Sequence, residues 1–324
     1  MNLLRCLAAL LPAACAFGQL PDFYQRVERI TWVVDDLGRT VAGWKKIGYT
    51  QIFDRGELGM DVEVRGKPSK ARLRYASGWL GEVWMDWIQI LEGESGFSEF
   101  QKARRAGVFA LNHRAPTCEA MDAEIARLGR LGVAVLHRGE AGANRYVHFD
   151  TLEDGKYVLG VFCGPESPRP EPSGPRLSQY AFAVRRLEPV SAYWSRLGWP
   201  EMTVTRSLVN NPRYHGRPVT LDLQLGWHRH GKVVYEWCLE PEGDSVYADH
   251  IRRHGEGFQH FGMPVEDMDA AIERWKSLGF EVAQSGGWGA EGKPGSGRFA
   301  YLDTDAIGGV SVELLWSFPR RAGK

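Results

Sequence analysis

Glu313 lies within Val310-Ser311-Val312-Glu313-Leu314-Leu315-Trp316, an otherwise apolar run. An inward-facing carboxylate without a partner would be costly there, and a bound cation would remove that cost. His260, in Phe258-Gln259-His260-Phe261, is a metal-ligating residue type on another apolar strand, although a lone histidine in such a place is ordinarily a hydrogen-bonded core residue. Glu236, in Val234-Tyr235-Glu236-Trp237, adds a second carboxylate; alone, either glutamate reads equally as a strand-edge charge. Cys238 follows two positions later, so thiol and carboxylate share a strand face, and the thiol either lines a cleft or is a small buried residue. His228 and His230 flank Arg229 between Gly226 and Gly231, which reads as a hairpin turn with two exposed imidazoles. The glycine-rich stretch from Gly286 to Arg298 joins two strands and reads as a mobile cover or a plain solvent loop. As a cover it would have Trp288 as its hydrophobic tip and Lys293 or Arg298 as an anchor for an anionic substrate.

These residues need a scaffold, and 324 residues with 44% hydrophobic and 25% charged composition predict about two ordinary globular domains. Forty basic residues balance forty acidic ones, which removes the overall positive field of a nucleic-acid binder and points to a small-molecule partner. Residues 1–19 read as a secretory signal, with Arg5 before an apolar centre and small residues at Ala14 and Ala16, so the expected location is secreted or periplasmic. No later run of about twenty apolar residues exists, so no membrane span is expected. Cys118, Cys163 and Cys238 then remain, read as small buried hydrophobes rather than a disulfide framework.

Internal repetition sets the architecture. Ala42-Gly43-Trp44-Lys45-Lys46-Ile47-Gly48-Tyr49 returns 150 positions later as Ala192-Tyr193-Trp194-Ser195-Arg196-Leu197-Gly198-Trp199. The same shift aligns Asp86-Trp87 with Glu236-Trp237, and a shift of 147 aligns Met121-Asp122-Ala123 with Met268-Asp269-Ala270. The halves are duplicates, separated by a stretch from Gly164 to Pro175 that holds five prolines in twelve residues and reads as a stiff linker. Each half divides again into two modules of an alternating strand, an amphipathic helix closed by glycine, and further strands. The modules open at Arg26, Val108, Leu177 and Phe258. The fold class is therefore α+β, built from four βαβββ modules.

Four such modules resemble the vicinal oxygen chelate superfamily, which includes glyoxalase I, methylmalonyl-CoA epimerase, extradiol dioxygenases and bleomycin-resistance proteins. The resemblance is strongest in Gly255-Glu256-Gly257-Phe258-Gln259-His260, Asp267-Met268-Asp269-Ala270-Ala271-Ile272, Phe299-Ala300-Tyr301-Leu302-Asp303-Thr304 and Gly308 to Leu314. It implies two domains, each a U-shaped mixed sheet flanked by helices: a degenerate one over 20–164 and a metal-binding one over 176–318. A linker at 165–175 and a tail at 319–324 complete the division. It further implies metal ligands at Gln179, Glu236, His260 and Glu313, a set similar to that of glyoxalase I. One imidazole, two carboxylates and an amide oxygen suit zinc, nickel, cobalt, manganese or iron. In the first half the matching positions are Arg29, Asp86, Ala110 and Gly160, three of which do not ordinarily bind a metal. One site per chain is expected.

The resemblance implies metal-assisted proton transfer on a small oxygen-chelating substrate, as in a lyase, isomerase or epimerase, with Glu313 or Glu236 as catalytic base. A non-catalytic binding protein of the bleomycin-resistance kind is the alternative; Trp79, Trp84 and Trp87 lie near the expected cleft of the first half, which is either an aromatic site that would suit it or part of a degenerate duplicate retained because it packs against its partner. An extradiol dioxygenase is the weaker reading, because its iron triad needs a histidine where this chain has Gln179. A homodimer is compatible with all three.

Overall fold

The computed structural model describes residues 20–165, 171 and 174–319, so the signal expected at 1–19, most of the proline-rich linker and the end of the tail lie outside the described residues. The first module runs β1 (Arg29–Val33), α1 (Leu37–Ile47), β2 (Ile52–Val64), β3 (Lys67–Leu80) and β4 (Val83–Gly93). α2 (Gly96–Arg104) leads to the second: β5 (Gly107–Arg114), α3 (Cys118–Arg130), β6 (Val135–Ala141), β7 (Asn144–Phe149), α4 (Leu152–Gly155) and β8 (Val158–Cys163). The third comprises β9 (Gln179–Val184), α5 (Leu187–Arg196), β10 (Thr203–Leu208), β11 (Asn210–Tyr214), β12 (Arg217–Pro218), β13 (Asp222–His230) and β14 (Val233–Leu239). α6 (Val246–His254) precedes the fourth: β15 (Gly257–Pro264), α7 (Met268–Ser277), β16 (Val282–Trp288), β17 (Gly297–Leu302) and β18 (Ser311–Ser317).

Local chemistry sets the helix ends. Asp36 and Asp267 cap α1 and α7 by accepting from Arg39 N and Ala270 N, while Ser95 and Ser98 form a reciprocal capping box on α2. Gly48 ends α1 at φ 126°, a backbone conformation that a side chain would strain.

The strands form two curled mixed sheets. The first closes into a barrel in the order β1-β4-β3-β2-β6-β7-β8-β5. It closes rather than remaining an open U because the long β2 reaches past β3 to pair with β6, Val62 facing Gly139. In the second half the equivalent strand is split: β10 pairs with β13, and β11 pairs with β16. The split falls at Val209; within β11, Asn211 at φ 47° and Pro212 coincide with a register shift against β16, and Arg217–Pro218 adds a short strand outside the four-module pattern. The result is a ten-stranded half-barrel, β10-β13-β14-β9-β15-β18-β17-β16-β11-β12, whose trough is centred on β9 and β15. Both sheets carry a register shift at the same duplicated place, opposite Phe109 and opposite Gln259.

One apolar core spans both halves, and each sheet has a smaller core of its own. Trp44 and Trp194, the duplicated pair, are both fully buried. Each donates its indole N–H to a carbonyl of the opposite half, Trp44 to Ile307 at 3.1 Å and Trp194 to Gly155 at 3.1 Å. Trp32 adds a third bond, to Gly308 at 2.6 Å, and Tyr157 stacks on Trp194 at 4.7 Å. Among the described residues no helix is long and apolar enough to cross a membrane.

Three sequence expectations change. Cys118 and Cys163 form a disulfide tying the start of α3 to the end of β8, because the shared core brings their Cα atoms to 5.1 Å. His228 is not in a turn: β13 continues to His230, and His228 is buried, accepting from the Trp237 indole at 3.2 Å. Trp87 belongs to the shared core rather than a cleft, whereas Trp84 faces the barrel interior with Trp79 edge-on at 5.2 Å.

Candidate metal centre

Four adjacent strands, β14-β9-β15-β18, bring the expected ligands together in two neighbouring rows. In one row Glu236 lies beside Ala181 and Ala181 beside His260; in the next, Gln179 lies beside Gly262 and Gly262 beside Glu313. Residues two apart on a strand share a face, so all four side chains emerge on the same side of the sheet. Ala181 and Gly262 supply the room between them. A Cβ at Gly262 would meet Gln179 Cγ at 2.4 Å.

The ligating atoms of Glu236, His260 and Glu313 lie within 4.8 Å of one another. His260 Nε2 is 3.3 Å from Glu236 Oε2 and 3.2 Å from Glu313 Oε2. Gln179 Nε2 donates to the same two oxygens, at 2.5 and 3.3 Å. Both glutamates are 5% exposed and His260 is fully buried. Burial pushes the Glu236 carboxyl up, Glu313 adds to the rise, and His260 opposes it. Burial would lower the His260 imidazole, but the two carboxylates outweigh it and hold it up to about 9. The pocket thus demands positive charge.

A divalent cation fits that demand. Two carboxylates match its charge, and the nitrogen and oxygen donor set suits the first-row metals and zinc. His260 Nε2 is buried between the carboxylates without a well-aligned hydrogen bond, as a nitrogen placed for a metal would be. The opposite ring nitrogen is fixed: His260 Nδ1 lies 2.5 Å from Gln259 Oε1. Adjacent strand residues ordinarily face opposite ways, and the bulge at Gln259 is what lets it reach its neighbour. Such a bond selects the tautomer that presents Nε2 to the site.

Sequence reasoning assigned no role to Gln259, nor to Tyr247 and Tyr301. Tyr301 faces Glu313 in register, packs edge-on against His260 at 5.0 Å, and shares a 2.8 Å hydrogen bond with the Tyr247 hydroxyl. Burial pushes both phenols well up, so they stay protonated beside the carboxylates. Register places Tyr301 there and α6 brings Tyr247 to it, and spacing reveals neither.

Cys238 is fully buried in the core of the second sheet, its thiol pushed up by burial and by the nearby carboxylates. Trp288 is half-buried and lies over Gly297 on the neighbouring strand. Lys293 is exposed. Arg298 is spent on Asp269 of α7, with bonds of 2.7 and 3.1 Å.

In the first half the size pattern of the rows is inverted. Asn112 stands where Gly262 does and Gly160 where Glu313 does; a Cβ at Gly160 would strike Asn112 Oδ1 at 1.9 Å. Asn112 instead bonds Thr31 at 3.0 Å and His148 at 3.0 Å, and Arg29 pairs with Asp86 at 3.4 Å where Gln179 meets Glu236.

Residues 178–301 match the family model of the Glyoxalase/Bleomycin resistance protein/Dioxygenase superfamily. No sequence among curated proteins matches the chain. Among solved structures it is similar to a mutant of 4-hydroxymandelate synthase from Streptomyces coelicolor, with TM-score 0.56 and 12% identity over 92% of this chain and 94% of that one. It is also similar to a xylose isomerase-like TIM barrel/4-hydroxyphenylpyruvate dioxygenase fusion protein, with TM-score 0.51 and 14% identity over 93% of this chain and 50% of that one. A catechol 2,3-dioxygenase aligns at TM-score 0.46 and 14% identity over 92% and 95% of the two chains. The matched span carries Gln179, Glu236 and His260, with Glu313 just beyond it, so it is this part of the carboxy-terminal half that is similar to the glyoxalase/bleomycin resistance protein/dioxygenase superfamily.

Proposed function

We propose that the protein is a metal-dependent enzyme that moves a proton on a small substrate presenting two adjacent oxygens. The observation that carries this is two buried carboxylates and one imidazole on a single sheet face within 4.8 Å. When bound, a divalent cation supplies Lewis acidity that makes the carbon next to the substrate oxygens easier to deprotonate. His260, oriented by Gln259, and Glu313 hold the cation. Glu236 is assigned as the proton carrier because Gln179 steadies its Oε2 at 2.5 Å, against 3.3 Å for Glu313 Oε2. Tyr247 and Tyr301 keep a protonated hydroxyl pair beside Glu313, able to steady negative charge that grows on the substrate.

The test is apo protein reloaded separately with zinc, nickel, cobalt, manganese or ferrous iron, then incubated in D2O with 2-oxoaldehyde hemithioacetals and 2-substituted acyl compounds. Deuterium appearing at a carbon that bears or adjoins the chelating oxygens, and lost in Glu236→Gln, supports proton transfer. Absence of exchange with every metal overturns it. A second reading, an iron oxygenase, is favoured by the fold likeness to 4-hydroxymandelate synthase at TM-score 0.56. Two-histidine, one-carboxylate sites are usual for that chemistry, whereas this site offers one histidine and two carboxylates. Oxygen consumption with ferrous iron and 4-hydroxyphenylpyruvate or a catechol would select it.

We further propose that the chain works outside the cytoplasm. The Cys118–Cys163 disulfide supports this, since such bonds persist mainly in oxidising compartments.

A further inference from the structure

A closed barrel of eight strands is either filled by its own side chains or wide enough to hold one small ligand. The amino-terminal barrel is of the second kind: it opens to solvent through a cleft of about 1250 Å³, above the usual range for small-molecule pockets. Inward positions that would fill it carry Thr31, Ser77 and Gly139.

The cleft has a polar end at Arg29, apolar walls, and a rim of paired charges. At the polar end the Arg29 guanidinium lies over Phe162 at 5.0 Å and near Trp84 at 6.0 Å. Its one carboxylate neighbour among the described residues, Asp86, is 3.4 Å from Nε and also accepts from the Trp84 indole at 2.9 Å. Arg29 Nε is buried without an aligned hydrogen bond. Arg55 reaches the same end, donating to Ser77 at 2.8 Å, and Ser77 faces Asp86 in register. Arg55 is itself exposed and lies over Phe53 at 5.3 Å, so of the two guanidiniums only Arg29 is paired with Asp86 and Arg55 is left to a ligand. The other cations of the lining are neutralised locally: Arg138 by Glu63 at 2.7 Å, Arg145 by Asp122 at 3.0 Å, and Lys70 by Asp61 at 3.5 Å. Leu73, Tyr75, Ile88, Phe97 and Tyr146 make the walls.

We infer that this barrel is a second binding site, separate from the metal centre, for a small monoanion with a flat apolar body, an aryl carboxylate being the simplest form. The carboxylate would take the planar forks of Arg29 and Arg55, which present paired N–H donors that ammonium groups lack. The ring would lie against the aromatic and aliphatic walls. This assignment does not depend on the reaction proposed for the carboxy-terminal half.

The test is calorimetric titration of the full chain, stripped of metal, with 1-naphthoate and with uncharged 1-naphthalenemethanol. The expected result is one equivalent of naphthoate per chain, with affinity at least tenfold above that of the alcohol. Arg29→Met should remove that preference, Met60→Trp should weaken both ligands by filling the cavity, and Glu313→Ala should change neither. Near-ultraviolet circular dichroism checks that each variant is folded; if Arg29→Met is not, Arg55→Met and Met60→Trp decide. The inference is overturned if wild type takes up no naphthoate at millimolar concentration. Binding that survives both cavity variants, or that disappears in Glu313→Ala, overturns it equally.

Discussion

Replacing Gly262 by alanine perturbs the candidate metal centre without substituting any of its four polar residues. The added methyl would lie 2.4 Å from Gln179 Cγ, 2.8 Å from its Cδ and 3.0 Å from Leu315 Cδ1. Contacts this short must open, and the side chain free to move is Gln179, which is only half-buried at the start of β9. Strand backbone accepts alanine, so the cost to folding is that of modest overpacking, about 1–3 kcal/mol. The larger effect falls on the site. Displacing Gln179 from Glu236 and Glu313 should weaken zinc binding by roughly 10–100-fold, the usual effect of losing a group that positions metal ligands. That is about 1.4–2.7 kcal/mol. Gln179→Ala should match it, and the double variant should be no worse than either single one, because the methyl then enters space already vacated. Calorimetric zinc titration of the three variants reads the affinities, and thermal melts read the folding cost. Wild-type affinity in both single variants would show that the amide has no part in the site, and additive losses would show that Gly262 acts by another route.

Removing the Cys118–Cys163 bridge, which closes a separation of 45 residues, should lower the unfolding free energy by up to about 4 kcal/mol, read by urea titration of Cys118→Ser/Cys163→Ser. An unchanged midpoint would mean that the bridge constrains nothing. Burial lowers His113, His137 and His228 to about 4 and His250 to about 3, so the folded chain keeps them neutral while the unfolded chain protonates them near 6.5. Their contribution is therefore whole above about pH 6.5 and is lost as pH falls toward 4, by up to about 1.4 kcal/mol per unit for each fully buried ring. Urea unfolding from pH 7 to 4.5 should show this decline, and a flat profile from 6.5 to 5 would refute it. Tyr24→Phe removes a buried 2.7 Å bond to Glu124, itself held by Arg127, and should cost about 1–2 kcal/mol in the same assay with no effect on zinc affinity.

The modules were legible because duplication repeats the glycine stop after the helix of each module, and the convergence of Gln179, Glu236, His260 and Glu313 because each lies on a strand that begins or ends a module. What the sequence hides is lateral. Nothing in the spacing says that β2 reaches β6 and closes a barrel while its copy splits near Asn211. Arg298 read as a substrate anchor because the partner that takes it, Asp269, lies on a helix 29 residues earlier. Gln259 was invisible because strand alternation points it away from the site, and only a bulge turns it back. The two cysteines read as plain core residues because proximity across the shared core leaves no trace in their separation along the chain.

The two tryptophan bonds across the halves bear on how the chain assembles. Trp44 and Trp194 perform the same act in opposite directions, so the molecule is arranged as a dimer whose subunits happen to be tethered. A tether contributes effective concentration, not contacts. A chain nicked within the proline-rich linker should therefore stay associated, and the halves supplied as separate polypeptides should find one another at high enough concentration. Each copy is then free to change its interior rows independently, provided that it keeps the indole its partner needs.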